Sequence, residues 1–270
     1  AVRAALLEDL GRAGYLTTDA IVQATAQART ALVARQRGVV AGLAATAIAF
    51  RLVDPSIEML IERPDGTPLQ PGDRIATITG SARGVLTAER VALNFLGHLS
   101  GVASGAATLV EAVRGHKARI CCTRKTMPGL RALQKYAVRV GGGMNHRFGL
   151  DDGVLIKDNH VAVAGGIRPA ILAARRGVGH LVKIEVEVDT LDQLEEALAT
   201  GIDAVLLDNM TPDQLATSVG MIDGRAIAEA SGRITPQTAP AIAASGVDLI
   251  SAGWLTHSAS VLDIGLDWQA

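Results

Sequence analysis

The chain has 270 residues, 49 % of them hydrophobic but only 3 % aromatic, and a formal net charge of −1. That length suits one large α/β domain or a barrel with a small partner domain, built from Ala, Val, Leu and Ile rather than from aromatic layers. Near-neutral charge excludes a general nucleic-acid or polyanion coat, so any basic function has to be local.

ALLEDL (5–10) has helical spacing, and RTALVARQRGVVAGL (29–43) alternates as a strand. Pro64-Asp65-Gly66 and Pro71-Gly72-Asp73 are turn signals before a half-polar strand, RIATITG (74–80). Residues 84–113 carry apolar positions at helical spacing, interrupted by Gly97, Gly101 and Gly105. The pattern predicts two helices packed closely through small residues, with a domain boundary near them.

From residue 118 the rhythm changes. Short β-branched runs at 118–123, 153–157, 181–188, 203–208, 225–230 and 247–251 alternate with Ala- and Leu-rich amphipathic segments. Thr190 and Thr211 stand where helix N-caps belong, and Gly201 and Gly220 where helices stop. Six strand–helix units predict a parallel sheet with outer helices. Each predicted strand ends in polar residues: Thr123-Arg124-Lys125, Lys157-Asp158, Glu187, Asp208-Asn209, Glu229 to Ser231, and Ser251 to Gly253. A barrel gathers all such ends at one mouth, whereas an open doubly wound sheet gathers only those beside its switch point. The expected fold is therefore α/β, with an incomplete α/β barrel of about six parallel strands.

The adjacent pair Cys121 and Cys122 makes a poor structural disulfide, and no metal-ligand spacing surrounds it; two small residues on a buried strand are expected. No charged segment leading into an apolar stretch opens the sequence, and no run of 18 apolar residues occurs in it. A cytoplasmic protein engaging neither membrane nor nucleic acid is the expectation.

Nine Lys or Arg residues and no Asp or Glu lie between Val113 and Leu150. In a near-neutral chain this is a local positive field, suited to a small and highly anionic ligand. Arg131, Lys135 and Arg139, four apart on one helix face, read as solvated. Arg124, Lys125 and Arg147 stand at a strand end and after a glycine run, where a ligand role is favoured. GGGMNHR (141–147) could bring backbone NH groups to an anion, although a glycine-rich helix exit is the commoner case. Glu187 and Asp208 supply hard oxygen atoms that suit Mg²⁺ or growing positive charge. ASGR (230–233), before a helix expected from Thr235, and AGWLTH (252–257) place backbone NH groups at helix starts, as phosphates require.

TRKTMPGLRALQKYAV (123–138), GGGMNHR (141–147), IKDNH (156–160), EVEVD (185–189), LLDN (206–209), ASG (230–232) and LTHS (255–258) together resemble the quinolinate phosphoribosyltransferases. So do RGVVAGL (37–43) and LTAERVALNFLGHLSG (86–101), and the likeness runs from about residue 5 to VLDIGLD (261–267). The resemblance implies an N-terminal α/β sandwich domain, 1–103 with the return of 262–270, and an α/β barrel domain, 104–261. It implies transfer of phosphoribosyl from phosphoribosyl pyrophosphate to quinolinate with decarboxylation. By motif match Arg124, His146, Arg147 and Lys157 would bind the two quinolinate carboxylates. Lys125, Glu187 and Asp208 would be the catalytic set, the two carboxylates also holding ribose hydroxyls and Mg²⁺, largely through substrate. Ser231, Gly232 and the loop Ala252-Gly253-Trp254 would take the 5′-phosphate, with Thr123, Arg233 and His257 as further substrate contacts. Arg90 would reach the neighbouring subunit's site, which makes a homodimer with shared sites.

The chain departs from the family pattern at three places. Cys122 stands where an Asp is common, Gly14-Tyr15-Leu16-Thr17 replaces a Gly-Asp-X-Thr run, and Arg233 replaces a glycine. Two other readings remain: a homologue associated with molybdate transport, disfavoured by the intact Lys157-Asp158-Asn159-His160, and a non-catalytic phosphoribosyl- or nucleotide-binding protein on the same scaffold. The latter has no need of Lys125, Glu187 and Asp208 together.

Overall fold

The computed structural model describes residues 1–269; Ala270, the end of the expected return segment, lies outside the described residues. In chain order the first elements are α1 (Val2–Leu10), α2 (Leu16–Ile21), β1 (Gln27–Ala34), β2 (Gly38–Val39), α3 (Leu43–Val53), β3 (Glu58–Ile61), β4 (Pro68–Leu69), β5 (Arg74–Ser81) and α4 (Ala82–Ala112). Then come β6 (Arg119–Cys121), α5 (Arg131–Val140), β7 (Val154–Ile156), α6 (Asp158–Ala164), α7 (Ile167–Gly177), β8 (Ile184–Val188), α8 (Leu191–Thr200) and β9 (Ala204–Asp208). The chain ends with α9 (Pro212–Ile222), β10 (Ile227–Ser231), α10 (Ala239–Ala244), β11 (Leu249–Ser251), α11 (Trp254–His257) and β12 (Ile264–Trp268).

Two compact units result. The first joins residues 1–107, 127–142 and 258–270, and the second joins 108–126 and 143–257. In the first, an antiparallel sheet of order β12-β1-β5-β3 is covered by helices. Leu32, Ile75, Ile78, Phe50, Val85 and Leu96 are buried together in its core. The segment 127–142, expected with the barrel, clusters here because Leu130 and Leu133 of α5 and its approach pack on that core.

The two helices expected over 84–113 are one helix of 31 residues. Its glycines are approach points rather than breaks. A Cβ on Gly101 would run into the carbonyl of Ser260, and one on Gly97 would meet the Leu262 carbonyl at 2.9 Å. The returning chain therefore lies directly against the α4 backbone. By length and composition α4 could cross a membrane. Its residues Val85, Ala88, Ala92 and Leu96 are instead fully buried in the first unit's core. The run 29–43 likewise splits, since the chain turns between β1 and β2 and enters α3 at Leu43.

The second unit carries a six-stranded parallel sheet of order β6-β11-β10-β9-β8-β7. All six barrel strands expected from the sequence are present. Among the described residues neither β6 nor β7 has a further strand beyond it, so the barrel is incomplete. The glycine run prepares its edge. Gly141 closes on α4, where a Cβ would strike the Ala103 backbone, and Met144 then bridges Cys121 in parallel with β6. GGG therefore serves a tight helix exit. Thr190 and Thr211 cap α8 and α9 with reciprocal Gln193 and Gln214 contacts. Helix α9 continues through Gly220 to Ile222 and ends at Asp223 in the left-handed region.

The two glycine environments predict opposite effects in equilibrium urea unfolding. Gly220→Ala meets nothing within 4 Å in an α-helix, so it should stabilise the protein by ~0.5–1 kcal/mol. Gly101→Ala gains the same helix propensity yet forces α4 from the returning chain, and should destabilise by ~1–3 kcal/mol.

Candidate active site

Parallel strands buried on both faces alternate their side chains, and here the inward series is chemical. On β8 it carries Glu185 and Glu187, and on β9 Leu206 and Asp208. On β10 it carries Glu229 and Ser231. Register aligns the series: Glu187 faces Leu206, Leu206 faces Glu229, and Asp208 faces Ser231. With Leu155, Lys157 and Ser251 all of these but Glu185 line a cavity of about 300 Å³ in the second unit.

The cations enter the same cavity from loops after strands. Arg124 and Lys125 follow β6, and Arg147 and His146 follow the Met144 bridge. The main chain at Lys125 is held at both ends: its N–H donates to Thr123 Oγ1 (3.0 Å), and its carbonyl accepts from Thr256 Oγ1 (2.7 Å). Arg147 Nη1 donates to the Gly153 carbonyl at 2.8 Å. Burial and then the nearby charge of Arg124 hold the Arg147 guanidinium below its ordinary pKa. Arg124 Nε is buried without a hydrogen-bond partner among the described residues. Two neighbouring guanidinium groups, one with a buried donor unused, make a site that an anion would relieve.

Lys157 sits at the N-cap of α6 and pairs with Glu187, and its N–H donates to His160 Nδ1 at 2.9 Å. The IKDNH segment thus caps its helix with His160 while aiming Lys157 inward. Asp208 accepts from Asn209 Nδ2 at 2.5 Å, and Asn209 adopts φ +54°, a left-handed value that Asn tolerates better than most residues.

A second compartment of about 390 Å³ adjoins the first through Thr123, Lys125, Asp208, Ser231 and Ser251. Its wall is mostly backbone-rich: Gly232, Arg233 and Ile234 after β10, and Ala252, Gly253 and Trp254 after β11, with His257. Gly253 lets Lys125 lie close to the main chain, since a Cβ would meet Lys125 Cδ at 2.9 Å. Trp254 Nε1 donates to the Ile234 carbonyl at 2.8 Å and ties the two loops together. The helix expected from Thr235 begins only at Ala239, because Thr235 and Thr238 close a turn on each other first. Arg233 is exposed at φ +51°, a strained value for a side chain of its kind.

Every site residue expected in the barrel segment therefore lines one of these two compartments. Arg90 does not: it is exposed on α4 in the first unit, beside a separate cavity with Asp9, Tyr15 and Glu89. Glu185 was not among the expected site residues, and Glu229 was expected only as a strand-end polar residue with no role assigned. They lie buried beneath His146, and their signal was the alternation of EVEV and of EAS, which puts them on the face of Glu187 and Ser231. Glu229 is held well above the ordinary carboxyl range, first by burial and then by the charge of Glu185.

The quinolinate phosphoribosyl transferase family models match the chain twice, the N-terminal domain over residues 16–100 and the C-terminal domain over 102–267. The chain belongs to this family. It is 46 % identical to the carboxylating nicotinate-nucleotide pyrophosphorylase of Mycobacterium leprae, covering 98 % of this chain and 95 % of that one. A probable enzyme of the same name from Bacillus subtilis is 44 % identical over 97 % of this chain and 90 % of its own. The crystal structure of NadC from Streptococcus pyogenes superposes with a TM-score of 0.94 at 43 % identity, covering 100 % of this chain and 96 % of that one.

The family-type cradle has one brittle point. Gly232 has φ +97°, and a Cβ there would meet Asn209 Cγ at 2.7 Å. Gly232→Ala should lower stability by ~1–3 kcal/mol in thermal unfolding. Inorganic phosphate should raise the melting temperature of the unaltered protein, and Gly232→Ala should abolish that rise.

Proposed function

We propose that the chain joins quinolinate to phosphoribosyl pyrophosphate, releasing pyrophosphate and CO₂ and yielding nicotinate mononucleotide, a step of de novo NAD biosynthesis. The observation that carries this reading is the buried Arg124 Nε, without a hydrogen-bond partner among the described residues, beside Arg147, destabilised first by burial and then by the Arg124 charge, in a compartment that adjoins a glycine-rich cradle. A compact dianion suits the first compartment and a phosphorylated ribose the second. The names and near-complete coverage of the relatives point the same way.

In this reading Arg124, Arg147 and Lys157 meet the two carboxylates, and the pyridine nitrogen is aimed at the anomeric carbon. The nitrogen–carbon bond forms as the bond to pyrophosphate breaks. Glu187 and Asp208 flank the ribose, where their charge steadies the positive character of the transition state, while Lys125 faces the departing oxygen atoms. Loss of CO₂ then leaves its electron pair on carbon 2 of the cationic ring, which takes a proton from solvent. The oxygen donors of Glu187 and Asp208, lining one cavity, suit a hard cation. Mg²⁺ held there with the substrate would neutralise pyrophosphate charge. The Gly232 and Gly253 loops take the 5′-phosphate on backbone NH groups. Cys121 and Cys122 are both buried, and a cytoplasmic setting is part of the same reading.

The first test is substrate choice. Nicotinate lacks the 2-carboxylate and would leave a partly buried guanidinium without its anion, at a cost of ~2–3 kcal/mol. Its kcat/KM should fall below that of quinolinate by a factor of about 30–150. Comparable turnover of the two acids would sink the assignment.

The second test concerns assembly as a homodimer in which Arg90 serves the partner's site. Arg90→Ala and Lys125→Ala proteins, each nearly inactive, are co-unfolded and reassembled in equal amounts. Mixed dimers then contain one site with both lesions and one with neither, so activity should return to about a quarter of the unaltered level. If Arg90 serves its own chain, every mixed site carries a lesion and nothing recovers.

A further inference from the structure

His146, Glu185 and Glu229 form a cluster beneath the first compartment that the proposed reaction does not itself use. Glu229 is 1 % exposed and Glu185 8 %. The backbone N–H of Arg147 donates to His146 Nδ1 at 2.8 Å. That bond needs a lone pair on Nδ1, so the ring proton resides on Nε2. Nε2 lies 2.9 Å from Glu185 Oε2 and donates to it, with Glu229 Oε1 3.7 Å away. Glu229 Oε1 itself has no hydrogen-bond partner among the described residues.

The same three residues place one ligand atom each within 4.8 Å of one another, which suits a metal ion by distance alone. The hydrogen bonds decide against it. A metal on Nε2 would force the ring proton onto Nδ1, where it would confront the Arg147 N–H. Burial and then the charge of Glu185 favour the protonated form of Glu229. The result is a chain of donors and acceptors running from Glu185 through His146 to the Arg147 main chain, with Glu229 buried beside it. The far end of Arg147 is fixed separately, by its bond to the Gly153 carbonyl.

We infer that Glu185 and Glu229 are positioning residues for recognition of the dicarboxylate. They lock His146 as its Nε2–H tautomer, and through Nδ1 that ring sets the main chain from which the Arg147 guanidinium reaches the cavity. His146 then acts through Arg147 rather than as a cation facing the ligand, a different role from the carboxylate contact implied by motif match. The inference rests on the reading of this compartment as the quinolinate site.

Nitrogen-15 NMR of the histidine-labelled protein at neutral pH tests the tautomer directly, with the His146 signals assigned by their loss in His146→Asn. A protonated Nε2 and an unprotonated Nδ1 are expected. A proton on Nδ1, a doubly protonated ring, or one equivalent of added Zn²⁺ displacing the Nε2 proton would overturn the inference. Kinetics test the positioning. Glu185→Ala should raise the KM for quinolinate about tenfold or more, because a buried donor loses its acceptor, while the KM for phosphoribosyl pyrophosphate moves less than about twofold. Glu185→Gln, whose amide oxygen still accepts from Nε2, should recover most of that loss. Equal rises in both KM values, or no rescue by Gln, would overturn it as well. Should the Ala protein not fold, the unaltered protein's tautomer and the Gln protein's kinetics still decide. Absence of any quinolinate turnover in the unaltered protein would instead defeat the proposed function and leave the tautomer result standing.

Discussion

Alternation of side chains along buried parallel strands is the constraint on which the second unit depends. Val186, Val188, Leu207, Ala230 and Ile250 occupy one set of positions and are almost fully buried. Their neighbours in the same strands point the other way and are Glu185, Glu187, Asp208, Glu229 and Ser231. A one-residue slip in register would exchange the two sets and put five polar groups among the helices. Strand pairing, hydrophobic packing and the chemistry of the cavity are therefore specified by the same pattern. Neither can drift without the other.

Filling a barrel interior with carboxylates would be untenable alone. It is balanced by cations that arrive from loops, each aimed by a local backbone device rather than by the sheet. Thr123 and Thr256 hold Lys125, Gly153 holds Arg147, and the α6 N-terminus holds Lys157 against Glu187. The exposed half of the Lys157–Glu187 pair is screened by water and adds little stability of its own. Its place at the cavity wall matters more, since a ligand carboxylate can compete for the same ammonium group.

The sequence made the second unit legible because its signals are local. Short β-branched runs, threonine caps and strand-end polar residues each sit within a few positions of the element they specify, and all six strands follow. The first unit was harder, because its decisive contacts join distant segments. Gly97 and Gly101 look like helix breaks until the returning residues 260–262 are laid against them. The α5 segment looks like part of the barrel until Leu130 and Leu133 find the other core. Glu185 and Glu229 were hidden for a different reason. Each is one of several acidic residues near a strand end, and only burial separates them from ordinary caps. Burial at that depth depends on which strands flank them, and no local pattern carries that information.

The cavity also explains why so much of the chain is committed to apolar packing. An unused Arg124 donor, a destabilised Arg147 and a buried Glu229 each cost free energy in the unliganded protein. Marginal stability leaves little room for such costs unless the surrounding elements are tightly specified. Within the second unit the reciprocal threonine caps and the Cys121–Met144 bridge supply that specification. A rigid frame lets the site remain electrostatically unsatisfied without collapsing. A ligand that supplies negative charge is then bound in part by relieving that cost.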